Sequence, residues 1–180
     1  MQWTFYTAFI GTFLSVTLLS YLAWKEHNPR QPRTLSEIAA QRRELLIYFR
    51  TVLWVCGTLF AITVFGFIRP RIDNNFIQTA AWLLLFIPEF LLGAFNAKGN
   101  IELLLHNVLS LIMGFGMWLT ALMFAFSLSG IYMKIEMILT IVLSILALLT
   151  IVDRKKFLFY ELPFIYISHL SILVAALAVR

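Results

Sequence analysis

Polar positions in this chain are confined to short breaks between six long apolar runs, at residues 3–24, 45–68, 77–95, 104–128, 135–152 and 162–179. Each run is close to the roughly 20 residues that cross a bilayer core of about 30 Å at 1.5 Å per residue. Lipid offers the backbone no hydrogen-bond partners, so a segment that crosses it must bond to itself as a helix. A helix half in water would show a polar stripe at helical period, and none of the runs does. The pattern predicts an all-α, polytopic membrane protein, a six-transmembrane-helix bundle with no separate soluble domain.

The first break is the long one, and it has two parts. Asn28-Pro29-Arg30-Gln31-Pro32-Arg33 is expected to be extended, because proline disfavours a helical conformation in the residue before it. Thr34-Leu35-Ser36-Glu37 then has the form of a capping box, in which hydroxyl and carboxylate each take a backbone N–H of the first turn. Leu35, Ile38, Arg42, Leu45 and Phe49 follow at helical spacing. These signals predict a short amphipathic helix over about 35–44, lying at the cytoplasmic lipid interface and running into the second span.

Composition supports the membrane reading. Apolar residues make up 61% of the chain and charged residues 13%, with a mean hydropathy of +0.88, against about 25% charged in an ordinary soluble domain. A water-soluble chain of this length has too little interior to hide that much apolar surface.

The net charge of +5 does not point to nucleic acid, because the basic residues form neither one face nor one tail. They sort by side of the membrane. Lys25, Arg30, Arg33, Arg42, Arg43, Arg50, Lys98, Arg154, Lys155 and Lys156 fall on one side, and Arg69, Arg71, Lys134 and Arg180 on the other. The positive-inside rule makes the richer side cytoplasmic and puts both termini outside it. Anionic lipid headgroups are the expected partner, with Arg30, Arg33, Arg42, Arg43, Arg154, Lys155 and Lys156 as contacts, each contributing about 1 kcal/mol near such a surface. The first run is expected to be retained, since no charge precedes it and residues 20–24 lack a small-x-small cleavage pattern. Cys56 is the single cysteine, so no intramolecular disulfide forms.

Most of the small and aromatic residues have packing roles. Thr7, Gly11 and Ser15 make a small-xxx-small ridge on the first span, Gly57 and Ala61 on the second, and Gly114 with Gly116 thin the fourth. Trp3, Trp24, Tyr160 and Trp82 suit the aromatic belt at the membrane surfaces.

Ionisable groups within the spans are what packing leaves unexplained. Glu89 follows Pro88 in the long apolar run of the third span, where a charged carboxylate costs several kcal/mol unless it is paired, wet or protonated. Proline removes a backbone N–H and frees a carbonyl in the same region. By depth, Arg50, His106 and His169 are candidates to join Glu89 at one cytoplasmic-side cavity, and Glu102 shares a helical face with His106 four positions on. A structural reading stands beside each: Glu89 as a buried bond locking two helices, Glu102 with His106 as an interfacial ion pair, and His169 as a satisfied core histidine.

Ligand counting sets several chemistries aside. His27, His106 and His169 are too few for a di-iron site, and helix rise puts His106 and His169 at depths differing by roughly 8–9 Å, which disfavours a haem clamped between them. There is no phosphate-binding glycine loop, Cys-x-x-Cys or Gly-x-Ser-x-Gly elbow. No cofactor and no metal is expected. The reading is an integral membrane protein whose intramembrane polar site binds or moves a small amphipathic, lipid-like or proton-coupled solute. A non-catalytic subunit or scaffold, whose partner would be a second copy or another membrane protein, is the alternative, and a membrane enzyme using Glu89 and a histidine as acid and base is the third reading.

Overall fold

In the computed structural model, residues 3–26, 34–72, 75–94, 100–153 and 156–180 are described. Arg30, Arg33, Arg154 and Lys155 lie outside them. Helices account for the architecture: α1 (Trp3–Glu26), α2 (Leu35–Ala39), α3 (Arg43–Thr63), α4 (Phe76–Ala94), α5 (Asn100–Ser127), α6 (Gly130–Val152) and α7 (Phe157–Ala178). Six of them are long and apolar enough to cross a membrane, so the chain is an all-α six-span bundle.

Short connections force the spans from α3 onward to run antiparallel, and α1 runs antiparallel to α3 because Thr7 bonds Thr63 while the Tyr48 hydroxyl donates to Leu18 O. Each packs on the next, and α1 also packs on α7, closing the six into a ring. Across that closure Tyr166 hydrogen-bonds Ser20 at 2.7 Å, and the Arg180 guanidinium lies 4.9 Å from the centre of the Phe5 ring. Both termini are thus at one end, here the termini end; the other, where α1 and α4 finish and α5 and α7 begin, is the basic end. α7 leans inward and touches α3 and α5 as well as its ring neighbours.

Proline and glycine set the irregular points. Pro70 has no N–H for the carbonyl four residues back, and the helix that continues from α3 widens into a π-helical turn over Val64–Ile68 before tightening over Arg69–Arg71. Two residues link α5 to α6, and Gly130 makes that corner with a φ of +62°, a conformation that disfavours any side chain.

The capping box forms: Glu37 N donates to Thr34 Oγ1 at 3.1 Å, and Thr34 N donates to the Glu37 carboxylate at 2.9 Å. The helix it starts is shorter than the sequence spacing predicts. It ends at Ala39, and Arg42 is extended before α3 begins. Leu35, Ile38 and Ala39 are buried in the hydrophobic core rather than laid on a lipid surface. A helix running straight into α3 would carry Leu35 about 12 Å beyond Arg43 along that axis; the turn at residues 40–42 folds it back over the bundle's end.

Trp82 differs too. It is fully buried and meets the Phe65 ring edge-on at 5.8 Å, whereas Trp3 and Trp24 are exposed as a belt requires. Its place six residues inside α4, roughly 9 Å from the helix start, is too deep for the belt.

Candidate intramembrane carboxylate site

Helices α3 and α4 meet through three successive turns. Arg50 Nη2 donates to the carbonyl of Ala94, the last residue of α4, at 3.2 Å. One turn along α3, Trp54 Nε1 donates to Phe90 O at 3.2 Å, and its indole fills the space that Gly93 leaves open. At the next turn Gly57 faces Glu89, so closely that a methyl group on Gly57 would stand 3.0 Å from the carboxyl carbon. The glycine makes the room in which this carboxyl lies.

Glu89 is 3% exposed. It makes no hydrogen bond or ion pair with any described residue, although interior polar groups are as a rule partnered. Two further carboxylates of the span helices are engaged. Glu161 of α7 accepts from Leu35 N at 3.0 Å, fastening the start of α2, and Glu136 of α6 accepts from Ser171 Oγ of α7 at 2.6 Å.

The remaining candidates are spread over the bundle. Arg50 sits level with the end of α4, about 7.5 Å along that helix from Glu89. His106 is buried near the start of α5, within electrostatic reach of Glu37, and its Nδ1 has no hydrogen-bond partner among the described residues. Glu102, one turn earlier, is exposed. His169 is buried on α7 and stacks on Phe60 of α3 with ring centres 4.2 Å apart. Phe60 is three residues beyond Gly57, so one stripe of α3 carries both Glu89 and His169 without bringing them into contact. Of the basic residues assigned to headgroups, Arg42 and Arg43 are exposed, and Lys156 is exposed while pairing with Asp153 at 3.7 Å.

The sequence pattern does not single out Glu136, because it falls at the edge of an apolar run that begins at Ile135. Ser129-Gly130 is the missed signal: a helix start there puts Glu136 six residues inside α6. No three His, Cys, Asp or Glu side chains among the described residues group as a metal site would require.

Compared with models of protein families, with curated proteins and with solved structures, the chain matches none. Fold and composition define it as a multi-pass integral membrane protein.

Proposed function

We propose that this membrane protein binds or moves a small amphipathic, lipid-like or proton-coupled solute at Glu89, approached from the basic end of the bundle, and that this end is cytoplasmic. One observation carries the reading: Glu89 is buried at a helix interface, yet no described residue donates to it. A carboxylate retained only to fasten elements of the bundle would be spent on a bond between them, as Glu161 is on the N–H of Leu35. An uncommitted carboxyl in an apolar setting is free to take up and release a proton, and in its ionised form it attracts a cationic headgroup. Arg50 near the mouth of the same interface supplies the opposite charge for the anionic part of such a solute.

The experiment compares purified protein with Glu89→Gln, using a fluorescent single-chain phospholipid as the probe over a range of pH. Expected is pH-dependent binding in the parent and pH-independent or lost binding in the variant, with thermal stability nearly unchanged because the amide keeps the shape. A sharp fall in stability, with the folded fraction retaining its pH dependence, overturns the proposal and favours a purely structural carboxylate.

A further inference from the structure

α6 is the helix most open to the surroundings, and its buried residues are Glu136, Thr140 and Leu143. Two of these three are polar. Glu136 is 0% exposed, with Oε2 taken by Ser171 and Oε1 without a hydrogen-bond partner among the described residues. Thr120 of α5 is likewise buried at 2% exposure, and its hydroxyl lacks a partner among the described residues. Thr120, Glu136 and Ser171 stand six or seven residues from the termini-end limits of their helices, which places all three at one level, roughly 9–10 Å inside.

Above that level is a hollow of about 510 Å³ at the termini end, with Ser127, Tyr132 and Ala178 in its lining. Each of these continues the helical face of one polar residue. Ser127 is seven positions beyond Thr120 on α5, Tyr132 is four before Glu136 on α6, and Ala178 is seven beyond Ser171 on α7. Residues four or seven apart share a helix face. The hollow therefore lies over the polar level along three helices at once, with the Tyr132 phenol one turn above the Glu136 carboxylate on the same face.

From this arrangement we infer a second intramembrane site: Glu136, held by Ser171 at the level of Thr120, binds a proton delivered from the termini end through the hollow and Tyr132. The step is simple protonation: hydronium in the hollow gives up a proton and is left as water, the Tyr132 hydroxyl accepts a proton as it passes its own on, and the free Oε1 takes it while Oε2 keeps its bond from Ser171. In the termini half, the charged and titratable groups on the surrounding elements are Tyr132 and the exposed Lys134 on α6, His169 on α7, whose ring faces Phe60 of α3, Arg71 at the rim of the hollow, and Arg180 after α7, whose guanidinium lies over the Phe5 ring; Glu102 and His106 of α5 and Tyr160, Glu161 and Tyr166 of α7 lie toward the basic end. This site stands independently of Glu89, which is on another helix pair in the opposite half of the bundle.

The test is infrared difference spectroscopy of the full-length protein in phosphatidylcholine vesicles, between acidic and alkaline states. Of the protonated-carboxyl bands in the parent, one is expected to persist in Glu89→Gln and to be missing from Glu136→Gln. Its growth after acidifying the side that bears the termini should slow several-fold when Ser129→Cys, in a Cys56→Ser background, carries a bulky impermeant thiol reagent at the rim. If Glu136→Gln does not fold, Ser171→Ala, which leaves the carboxyl in place, must move the midpoint of that band. A folded Glu136→Gln that keeps every titrating carboxyl band, an unmoved midpoint in Ser171→Ala, or a rate indifferent to the blocked rim each overturns the inference. Loss of a band in Glu89→Gln alone bears only on the Glu89 reading.

Discussion

The backbone of Leu84 lies against Gly116. Pro88 has no N–H to give the Leu84 carbonyl, and α5 passes so close at Gly116 that a methyl group there would stand 2.5 Å from the Leu84 carbonyl carbon and 2.7 Å from its oxygen. The missing bond and the missing side chain fall at the same point, so α4 and α5 approach backbone to backbone, in the way small residues permit in lipid.

Gly116→Ala should therefore destabilise the bundle, by about 1–3 kcal/mol, because the obstacle is backbone and cannot rotate away. Gly114→Ala is the control, since the nearest atom to its methyl would be 4.0 Å away, on the Phe164 ring. Thermal unfolding in detergent should separate the two variants clearly. Equal losses would show that the helices do not meet as closely as this.

Gly57→Ala should act differently. Its methyl would meet the end of the Glu89 side chain at 3.0 Å, and a flexible side chain yields more cheaply than backbone. The expected result is a stability loss smaller than that of Gly116→Ala, with a clear change in proton uptake measured by a pH-indicating dye. A large loss of stability with unchanged proton uptake would place the carboxyl elsewhere.

Trp54 and Gly93 should be energetically coupled. Trp54→Phe removes the bond to Phe90 O, at about 0.5–1.5 kcal/mol, and Gly93→Ala displaces the indole from the space it fills. With the indole gone, the methyl has less to displace, so the double variant should lose less stability than the two single losses combined. Strict additivity in a double-mutant cycle would mean the two residues do not touch.

The ten-to-four division of basic residues predicts the orientation. Cysteines introduced as Asn74→Cys and Asn28→Cys in a Cys56→Ser background should be labelled unequally by an impermeant thiol reagent applied outside the cell, with reaction at position 74 alone. Reaction at position 28 alone would invert the protein in the membrane.

The number of spans, the helical class and the start of α2 were legible in the sequence. Lipid imposes a one-dimensional rule, since any segment that crosses must be apolar over a set length and helical throughout, and both properties are local. The capping box Thr34–Glu37 is local as well, its bonds closing within four residues. Where Leu35 and Ile38 would go was not legible: an amphipathic face reads the same whether lipid or a bundle end covers it, and the turn at residues 40–42 decides for the bundle. Trp82, an aromatic suited either to a belt or to a core, became core because Phe65 stands beside it.

The carboxylates show the same division. In sequence Glu89, Glu136 and Glu161 are each an acid near an apolar run, and nothing local states which has a donor. Ser171 reaches Glu136 from 35 residues away and Leu35 N reaches Glu161 from 126 residues away, while Glu89 meets the bare backbone of Gly57. Apolar helix faces look alike to lipid, so the sequence alone determined that six helices cross the membrane. Which faces meet was decided in three dimensions by the few glycines that allow close approach and the few polar groups that must find a partner.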